Sequence, residues 1–408
     1  MFFARLLKNL MVEGDLTYID PKGRIHHFGQ GKVEGIEPVT VRLTDPRLDL
    51  RLGLRPLLAA GEAYMDGKLL IEQGTLFDFL ALAAHNLHSR HHARFLNLMQ
   101  QLDFVWRWLQ QYNPVPLARK NAAHHYDISL EVYDLFLDPD RQYSCAYFER
   151  DDMTLEEAQL AKKRHIMAKL ALEPGHKVLD IGCGWGGLAL TLAREAKAAV
   201  TGITLSEQQW HEARKRAHQQ RAGNVSFELV DYRAVEGKFD RVVSVGMFEH
   251  VGVAHYDQFF HSVAERLNQD GVALIHFICR AEGPGTTNPW IRKYIFPGGY
   301  SPALSEVIPA IERAGLFITD IEMLRLHYAM TLREWRRRFK ANWAKAAERY
   351  DERFCRMWEF YLTGSEVVFR FQGHMVTQIQ LAKKVDTLPI TRTYMLDEHM
   401  PRFRQQAE

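Results

Sequence analysis

Val178-Leu-Asp-Ile-Gly-Cys-Gly-Trp-Gly-Gly187 decides the fold of this chain. His176 to Ile181 reads as a short buried strand, β-branched at Val178 and Ile181, with Pro174-Gly175 as a turn in front. Gly182, Gly184, Gly186 and Gly187 follow at once, and an apolar helix begins near Leu188. A strand, a glycine-rich turn and a helix N-terminus together make a nucleotide cradle. Missing Cβ atoms let the backbone approach a ligand, and free N–H groups at the helix start attract negative charge. Gly-x-Gly-x-Gly alone does not separate the nucleotide classes, because dinucleotide enzymes carry a similar turn.

Working outward, the pattern alternates. Strands are expected at Ala199–Thr204, Val225–Val230, Arg241–Val245 and Val272–Ile278, with helices at Glu207–Arg221 and Tyr256–Leu267 between them. A helix over Leu155–Leu172 feeds the opening strand, and His374–Lys383 reads as a last one. This is a doubly wound α/β sheet. Proline- and glycine-rich Glu282–Tyr300 is expected to form a long loop over the site. Leu332 to about Leu362 reads as one basic helix, with Leu332, Trp335 and Phe339 on one face and Arg336, Arg337, Arg338 and Lys340 around the rest. That charged surface suits either solvent or lipid phosphates.

Before the sheet, Gly14–Gly74 looks like a small α+β unit. Leu16–Ile19 and Arg24–Phe28 flank the turn Asp20-Pro-Lys-Gly23, and Val39–Leu43 alternates like a half-buried strand. A helix is expected over Thr75–Ala84. Phe2–Met11 is an amphipathic helix that packs on its own domain or lies on a membrane surface. His85, His88, His91 and His92 sit among arginines without carboxylates, which speaks for a solvated face rather than a metal site. Asn113-Pro-Val-Pro116 marks a linker, so the expected domains are 1–112 and 113–408.

The totals narrow the class. With 408 residues, 47% hydrophobic and 25% charged, the chain suits a soluble two-domain protein. A net charge of +2 argues against nucleic acid as a partner. Cys145, Cys183, Cys279 and Cys355 show neither zinc spacing nor a pairing pattern, which fits reduced thiols in the cytosol. No signal peptide and no apolar run of membrane-spanning length are evident, so any membrane contact is expected to be peripheral.

Read together, these stretches resemble the cyclopropane-fatty-acyl-phospholipid synthase family, with the mycolic acid cyclopropane synthases as shorter relatives. The resemblance rests on Gly61-Glu-Ala-Tyr-Met-Asp-Gly67, His125-Tyr-Asp127, Tyr143-Ser-Cys-Ala-Tyr-Phe148, Val178–Gly187, Thr204-Leu-Ser206, Phe248-Glu-His-Val-Gly252 and His276-Phe-Ile278, in that order. It implies an S-adenosylmethionine-dependent methyltransferase with a Rossmann-like doubly wound sheet and a smaller N-terminal α+β domain. Asp180, two residues before the first glycine, agrees with that cofactor. The first motif belongs to the full-length, phospholipid-modifying branch, although Lys68-Leu69 stand where the family often has two tryptophans.

The resemblance further implies that Tyr143, Ser144, Asp180, Gly182, Cys183, Gly184, Gly186, Thr204, Gln209, Asp231 and Tyr232 bind the cofactor. Thr204 and Gln209 offer neutral hydrogen bonds where many such enzymes place an acid. Tyr143 and Trp185 are candidates for cation–π contact with a sulfonium, although Trp185 suits ordinary packing equally well. A cis double bond is a weak nucleophile, so the methyl group must be held in line with it in a dry pocket. Attack leaves a carbocation, and a base must remove a proton from the new methyl for the ring to close. The family's base is a bound bicarbonate, whose matched cradle here is Cys145, Glu249, His276, the backbone of Ile278, and Tyr328. Tyr126 and Tyr147 would add aromatic surface near the cation. A late cysteine often marked as active in the family aligns with Ser365, and Cys355 does not match it, so a thiol nucleophile there is not general.

The implied partners are unsaturated phospholipid acyl chains at the inner membrane face. A homodimer is allowed for. Two other readings stay open: a methyltransferase of the same fold acting on an olefinic lipid or an amine, and a non-catalytic lipid-binding protein. An amine methyltransferase has no use for an anion cradle, which leaves methyl branching as the rival.

Overall fold

The computed structural model describes residues 2–88 and 130–396. They form two compact units that do not follow the chain order. One gathers the described residues up to 88 with 285–297 and 329–374; the other holds 130–284, 298–328 and 375–396. The expected boundary at 112/113 lies outside the described residues. Two later stretches nevertheless belong with the N-terminal unit, which the linear division did not foresee.

The first unit carries a four-stranded sheet in the order β2-β1-β3-β4. β1 (Leu16–Ile19) and β2 (Ile25–Phe28) form the expected hairpin, β3 (Val39–Leu43) runs parallel to β1, and β4 (Leu69–Gln73) closes the edge antiparallel. Asp20 shapes the hairpin turn: its carboxylate accepts the backbone N–H of Lys22 (2.7 Å) and of Arg24 (3.1 Å). The N-terminal helix Phe2–Leu10 buries Phe3 and Leu7 in the same apolar cluster as Tyr18 and Val41. It therefore packs on its own unit.

Two expectations are corrected here. Glu282–Tyr300 is not one long loop. Its centre is a helix, Pro289–Tyr294, capped by Asn288, whose side chain accepts the N–H of Trp290 at 2.9 Å. That helix packs on helix Pro56–Met65, where Trp290 Nε1 meets Met65 Sδ at 3.2 Å. The basic helix is three helices, His327–Ala341, Trp343–Arg349 and Glu352–Phe371. Leu332, Trp335 and Phe339 are buried as expected, but Arg336 and Lys340 are paired with Glu366 (3.1 Å) and Glu359 (3.0 Å).

The second unit is built on a seven-stranded sheet in the order β10-β11-β9-β8-β5-β6-β7. Its strands are β5 (Lys177–Ile181), β6 (Ala199–Thr204), β7 (Val225–Leu229), β8 (Phe239–Val245), β9 (Leu267–Arg280), β10 (Phe317–Met323) and β11 (His374–Ala382). β5 to β9 pair in parallel, and β10 with β11 is antiparallel. Alternation along each strand feeds two separate cores, one per face. Leu179, Val242 and Ile275 enter one cluster, while Val178, Val243 and Leu274 enter the other. Burial on both faces explains why these strands read as continuous apolar runs.

The chain leaves β5 toward β6 and β7 on one side, then returns to β8 on the other. That reversal opens a crevice at the carboxyl ends of β5 and β8, where doubly wound sheets bind ligands.

Candidate active site

A cavity of about 170 Å³ occupies that crevice. Its floor is the glycine turn. Gly182 (φ +81°) and Gly184 (φ +54°) both sit in the left-handed region and both line the cavity. The N–H groups of Gly182 and Cys183 are tied to the Ile203 carbonyl at 2.9 and 3.0 Å, which fixes the turn against β6. A Cβ on Gly184 would meet no atom within 4 Å, so the backbone there faces open space. Gly186 does not line the cavity. A Cβ there would lie 2.6 Å from the Phe227 ring, so its smallness serves packing beneath the turn.

One wall is Gln142-Tyr143-Ser144, held from behind by helix Leu155–Lys169. Gln159 Nε2 donates to the carbonyls of Gln142 (3.2 Å) and Ser144 (3.0 Å). Lys162 Nζ donates to Gln142 Oε1 (2.7 Å) and Ser144 Oγ (2.8 Å), and itself lines the cavity. On the opposite side Thr204 Oγ1 donates to Gln209 Oε1 at 2.9 Å, uniting the two residues expected to supply neutral hydrogen bonds. Ser206 caps helix Glu207–Gln219 beside them. Asp231 and Tyr232 close a third side, the Asp231 carboxylate being held by Arg233 Nε (2.7 Å) and Nη2 (2.9 Å). Trp185 lines the cavity and meets Tyr133 edge-on at 4.9 Å; Tyr143 does the same at 5.3 Å.

Asp180, Lys162 and His250 are three of the titratable groups that line the cavity. Burial drives the Asp180 carboxyl up to about 7, against the pull of the Lys162 charge. Asp180 Oδ2 has no hydrogen-bond partner among the described residues. Burial lowers Lys162 to about 8, opposed by Asp138, and lowers His250 to about 4. Apart from Gly186, every expected cofactor-binding residue lines this cavity. Gln142, Lys162, Met247 and His250 line it too and were not singled out from the sequence. His250 stood inside the quoted Phe248–Gly252 motif; Lys162 had no sequence signal.

The residues expected to hold bicarbonate do not line the cavity. Glu249 and Ile278 are joined: the Ile278 N–H donates to Glu249 Oε1 at 2.8 Å, so that backbone donor is committed to the carboxylate. Glu249 Oε2 is buried and unpartnered among the described residues. Burial pushes this carboxyl up to about 7, partly offset by the Ile278 bond. His276 lies two residues before Ile278 on β9, and its Nδ1 pairs with Gln378 Nε2 at 3.1 Å. Burial holds its imidazole neutral, at about 3. Cys145 and Tyr328 are buried in the same unit, and Cys145 Sγ contacts the Ala146 carbonyl at 3.3 Å.

Tyr147 is sandwiched between His165 (4.3 Å) and His327 (4.9 Å), so imidazoles occupy both of its faces. Tyr126, His125 and Asp127 lie outside the described residues, as do His91 and His92. His85 is hydrogen-bonded to Glu13 at 2.9 Å. Ser365 lies within helix Glu352–Phe371. Cys355, on the same helix, is a fully buried thiol pushed up to about 11 by burial.

A mostly parallel sheet with its glycine turn at the switch point defines an α/β fold of the S-adenosylmethionine-dependent methyltransferase type. A solved mycolic acid cyclopropane synthase, CmaA1 complexed with SAH and CTAB, superposes with a TM-score of 0.62 at 34% identity, covering 66% of this chain and 99% of that one. Residues 116–379 match the model of the mycolic acid cyclopropane synthetase family, and the chain belongs to that family. It is 35% identical to the cyclopropane-fatty-acyl-phospholipid synthase of Escherichia coli K12, over 87% of this chain and 90% of that protein. A probable fatty acid methyltransferase of Pseudomonas putida is 42% identical over 60% of this chain and 65% of that protein.

Proposed function

We propose that this chain is an S-adenosylmethionine-dependent synthase that adds a methylene across the cis double bond of unsaturated phospholipid acyl chains, giving cyclopropane fatty acids. The observation that carries the reading is a pair of buried carboxylates at the ligand-binding edge of the sheet. Asp180 sits at the end of β5 and Glu249 just beyond β8, and each keeps one oxygen unpartnered among the described residues. The cavity fits the cofactor: an orphaned acid, a glycine backbone facing open space, and hydroxyl and amide groups at Thr204 and Gln209 for a ribose.

When bound, S-adenosylmethionine supplies an electrophilic methyl group and bicarbonate supplies a base. The chain's own part is positioning and proton handling. The glycine turn, Tyr143, Ser144, Thr204, Gln209, Asp231 and Tyr232 hold the cofactor. Buried Trp185 and partly buried Met247 keep the crevice dry, which keeps the cation formed on the alkene from water. Glu249 has one oxygen fixed by Ile278, so its second oxygen is aimed and available to hold a proton or to orient bicarbonate. His276, being neutral, serves as a hydrogen-bond partner rather than a competing cation. Cys145 and Tyr328 complete the proposed cradle. Presentation of the lipid at the cytoplasmic membrane face, by a peripheral protein and as a homodimer, belongs to this reading. Among the described residues no helix is long and apolar enough to cross a membrane.

The second reading, a fatty-acyl C-methyltransferase making branched lipids, is favoured by the Pseudomonas putida relative. Product analysis separates them. Purified protein is given vesicles of a cis-unsaturated phosphatidylethanolamine and S-adenosylmethionine, with and without bicarbonate, and the acyl esters are resolved by gas chromatography and mass spectrometry. A ring product one methylene heavier, formed more slowly without bicarbonate, is expected. A methyl- or methylene-branched product moves the assignment to the second reading. Undiminished rate in bicarbonate-free buffer removes the anion from the mechanism.

A further inference from the structure

β11 divides its side chains between two faces. Ile379 and Leu381 enter an apolar cluster, while Gln378 and Gln380 alternate with them on the opposite face, exposed by 0% and 1%. A buried amide is costly unless its polar atoms are met. Gln380 has what it needs: Nε2 donates to Tyr394 Oη (2.8 Å), and Oε1 accepts from Thr319 Oγ1 (2.8 Å). Gln378 is different. Its Nε2 meets His276 Nδ1 at 3.1 Å, and its Oε1 has no partner among the described residues. On an inner strand of the sheet, the bond this amide makes goes to an imidazole.

That bond runs in one direction. An amide NH2 group only donates, so Nδ1 accepts through its lone pair. In a neutral imidazole the single N–H is then on Nε2. Burial, and after it Lys162, Lys169 and His165, hold the ring neutral against the pull of Glu322. Nε2 itself meets no hydrogen-bond partner among the described residues, which leaves its proton for a ligand. We propose that Gln378 is a positioning residue: by holding Nδ1 it fixes the His276 ring and its tautomer, so that Nε2–H donates to the anion. This rests on the reading of Cys145, Glu249, His276 and Tyr328 as an anion cradle. It gives His276 the donor's part, because the opposite tautomer would turn a lone pair toward an anionic oxygen.

The wild-type chain tests the tautomer directly, where no folding defect can blur it. It is labelled with isotopic histidine and recorded at neutral pH in a long-range proton–nitrogen correlation, the His276 signals being identified by their loss in His276→Gln. A protonated Nε2 and an unprotonated Nδ1 are expected; a proton on Nδ1 overturns the proposal. Kinetics then separate positioning from packing. Gln378→Met removes the donor at similar volume. With vesicles of a cis-unsaturated phosphatidylethanolamine and S-adenosylmethionine, it is expected to raise the bicarbonate concentration for half-maximal turnover by about fivefold or more, the scale of one lost neutral hydrogen bond. Calorimetric affinity for S-adenosylhomocysteine and the lipid KM are expected to change by less than about twofold. An unchanged bicarbonate requirement, or equal losses in all three quantities, overturns the proposal. Wild-type turnover that ignores bicarbonate overturns the anion reading, and the role of the Nε2 proton falls with it, whichever tautomer the spectrum shows.

Discussion

The paired buried acids of the N-terminal unit contrast with two acids at the carboxyl ends of the sheet strands, although others in the sheet unit, Asp231 among them, are paired. In the N-terminal unit Glu62 accepts from Arg51 (2.7 Å), Lys293 (2.7 Å) and Tyr294 (2.9 Å), and Glu366 is held by Arg336 and Arg370. Glu359 takes Tyr64 at 2.5 Å and Lys340 at 3.0 Å. In the sheet unit Asp180 and Glu249 each leave one oxygen without a partner among the described residues. Satisfied acids stitch helices together; unsatisfied ones carry a desolvation cost that only a ligand or a proton relieves. The Gly61–Gly67 motif takes on its meaning here. Gly61 lets Trp290 approach, Glu62 and Tyr64 bind later helices, Met65 meets Trp290, and Asp66 pairs with Arg353 at 2.8 Å. A motif shared with lipid-modifying relatives is, in this unit, an anchor for the segments 285–297 and 329–374.

The largest effect expected on the bare-acid side comes from the turn that carries it. Gly184→Val places a branched side chain into the cavity at φ +54°. S-adenosylhomocysteine binding is expected to fall below detection by calorimetry, with far-ultraviolet circular dichroism unchanged. Retained affinity would separate the glycine turn from the cofactor.

Next in size is a pair of substitutions whose pH dependences run in opposite directions. Glu249 is raised from 4.5 to about 7 by burial, so between those values the folded state holds a proton that the unfolded state has released. Its contribution is present below pH 4.5 and lost as pH rises through 7. Glu249→Gln is therefore expected to gain stability relative to wild type on going from pH 4 to pH 8, by up to about 3 kcal/mol at about 1.4 kcal/mol per unit. Glu62 behaves the other way. Burial pushes it up, but the bonds from Lys293 and Tyr294 outweigh that and hold it below its ordinary value. Its contribution is present above pH 4.5 and lost in acid. Glu62→Gln is expected to cost about 1 kcal/mol at pH 7, a modest figure because its cationic partners are half exposed and screened. Urea unfolding at the two pH values measures both. The same sign of pH dependence in the two variants would erase the distinction drawn between the units.

How much of this was legible in the sequence follows the same division. The sheet strands were legible because burial on both faces leaves unbroken apolar runs, and the glycine turn because positive φ demands glycine. The three glycines looked alike, since spacing does not tell a residue facing a cavity from one lying over Phe227. Lys162 was illegible for a related reason. It stands beside Lys163 in a helix whose buried side carries Gln159, Lys162 and Lys169, so apolar periodicity gave no hint of which face turns inward. Pro289 misled through composition, although Asn288-Pro289 is a helix-start signal that was there to be read. That the N-terminal unit is discontinuous could not be read, because nothing local marks a helix such as Glu352–Phe371 as the partner of one 295 residues earlier.

The smallest effect expected concerns sulfur and hydroxyl groups in the unit of satisfied acids. Cys355 is fully buried, its thiol is pushed up to about 11, and its Sγ contacts the Trp343 carbonyl at 3.9 Å. A nucleophilic thiol needs the reverse environment: accessible, and lowered by a cation or a helix N-terminus. Burial acts on Cys355 more strongly than any charge, and Glu352 and Asp351 raise it further, outweighing the opposing pull of Arg356. Ser365 lies on the same helix beside Glu366, whose carboxylate is already occupied by two arginines, so it has no free base at its neighbour. Ser365→Ala and Cys355→Ser are therefore each expected to change turnover of an unsaturated phospholipid by less than about twofold, with any loss in Cys355→Ser appearing as lowered thermal stability from a polar atom in an apolar site. Steady-state rates beside melting temperatures decide it. A folded Ser365→Ala variant that still binds S-adenosylhomocysteine but turns over no lipid would bring this helix into the chemistry and end the contrast between the two units.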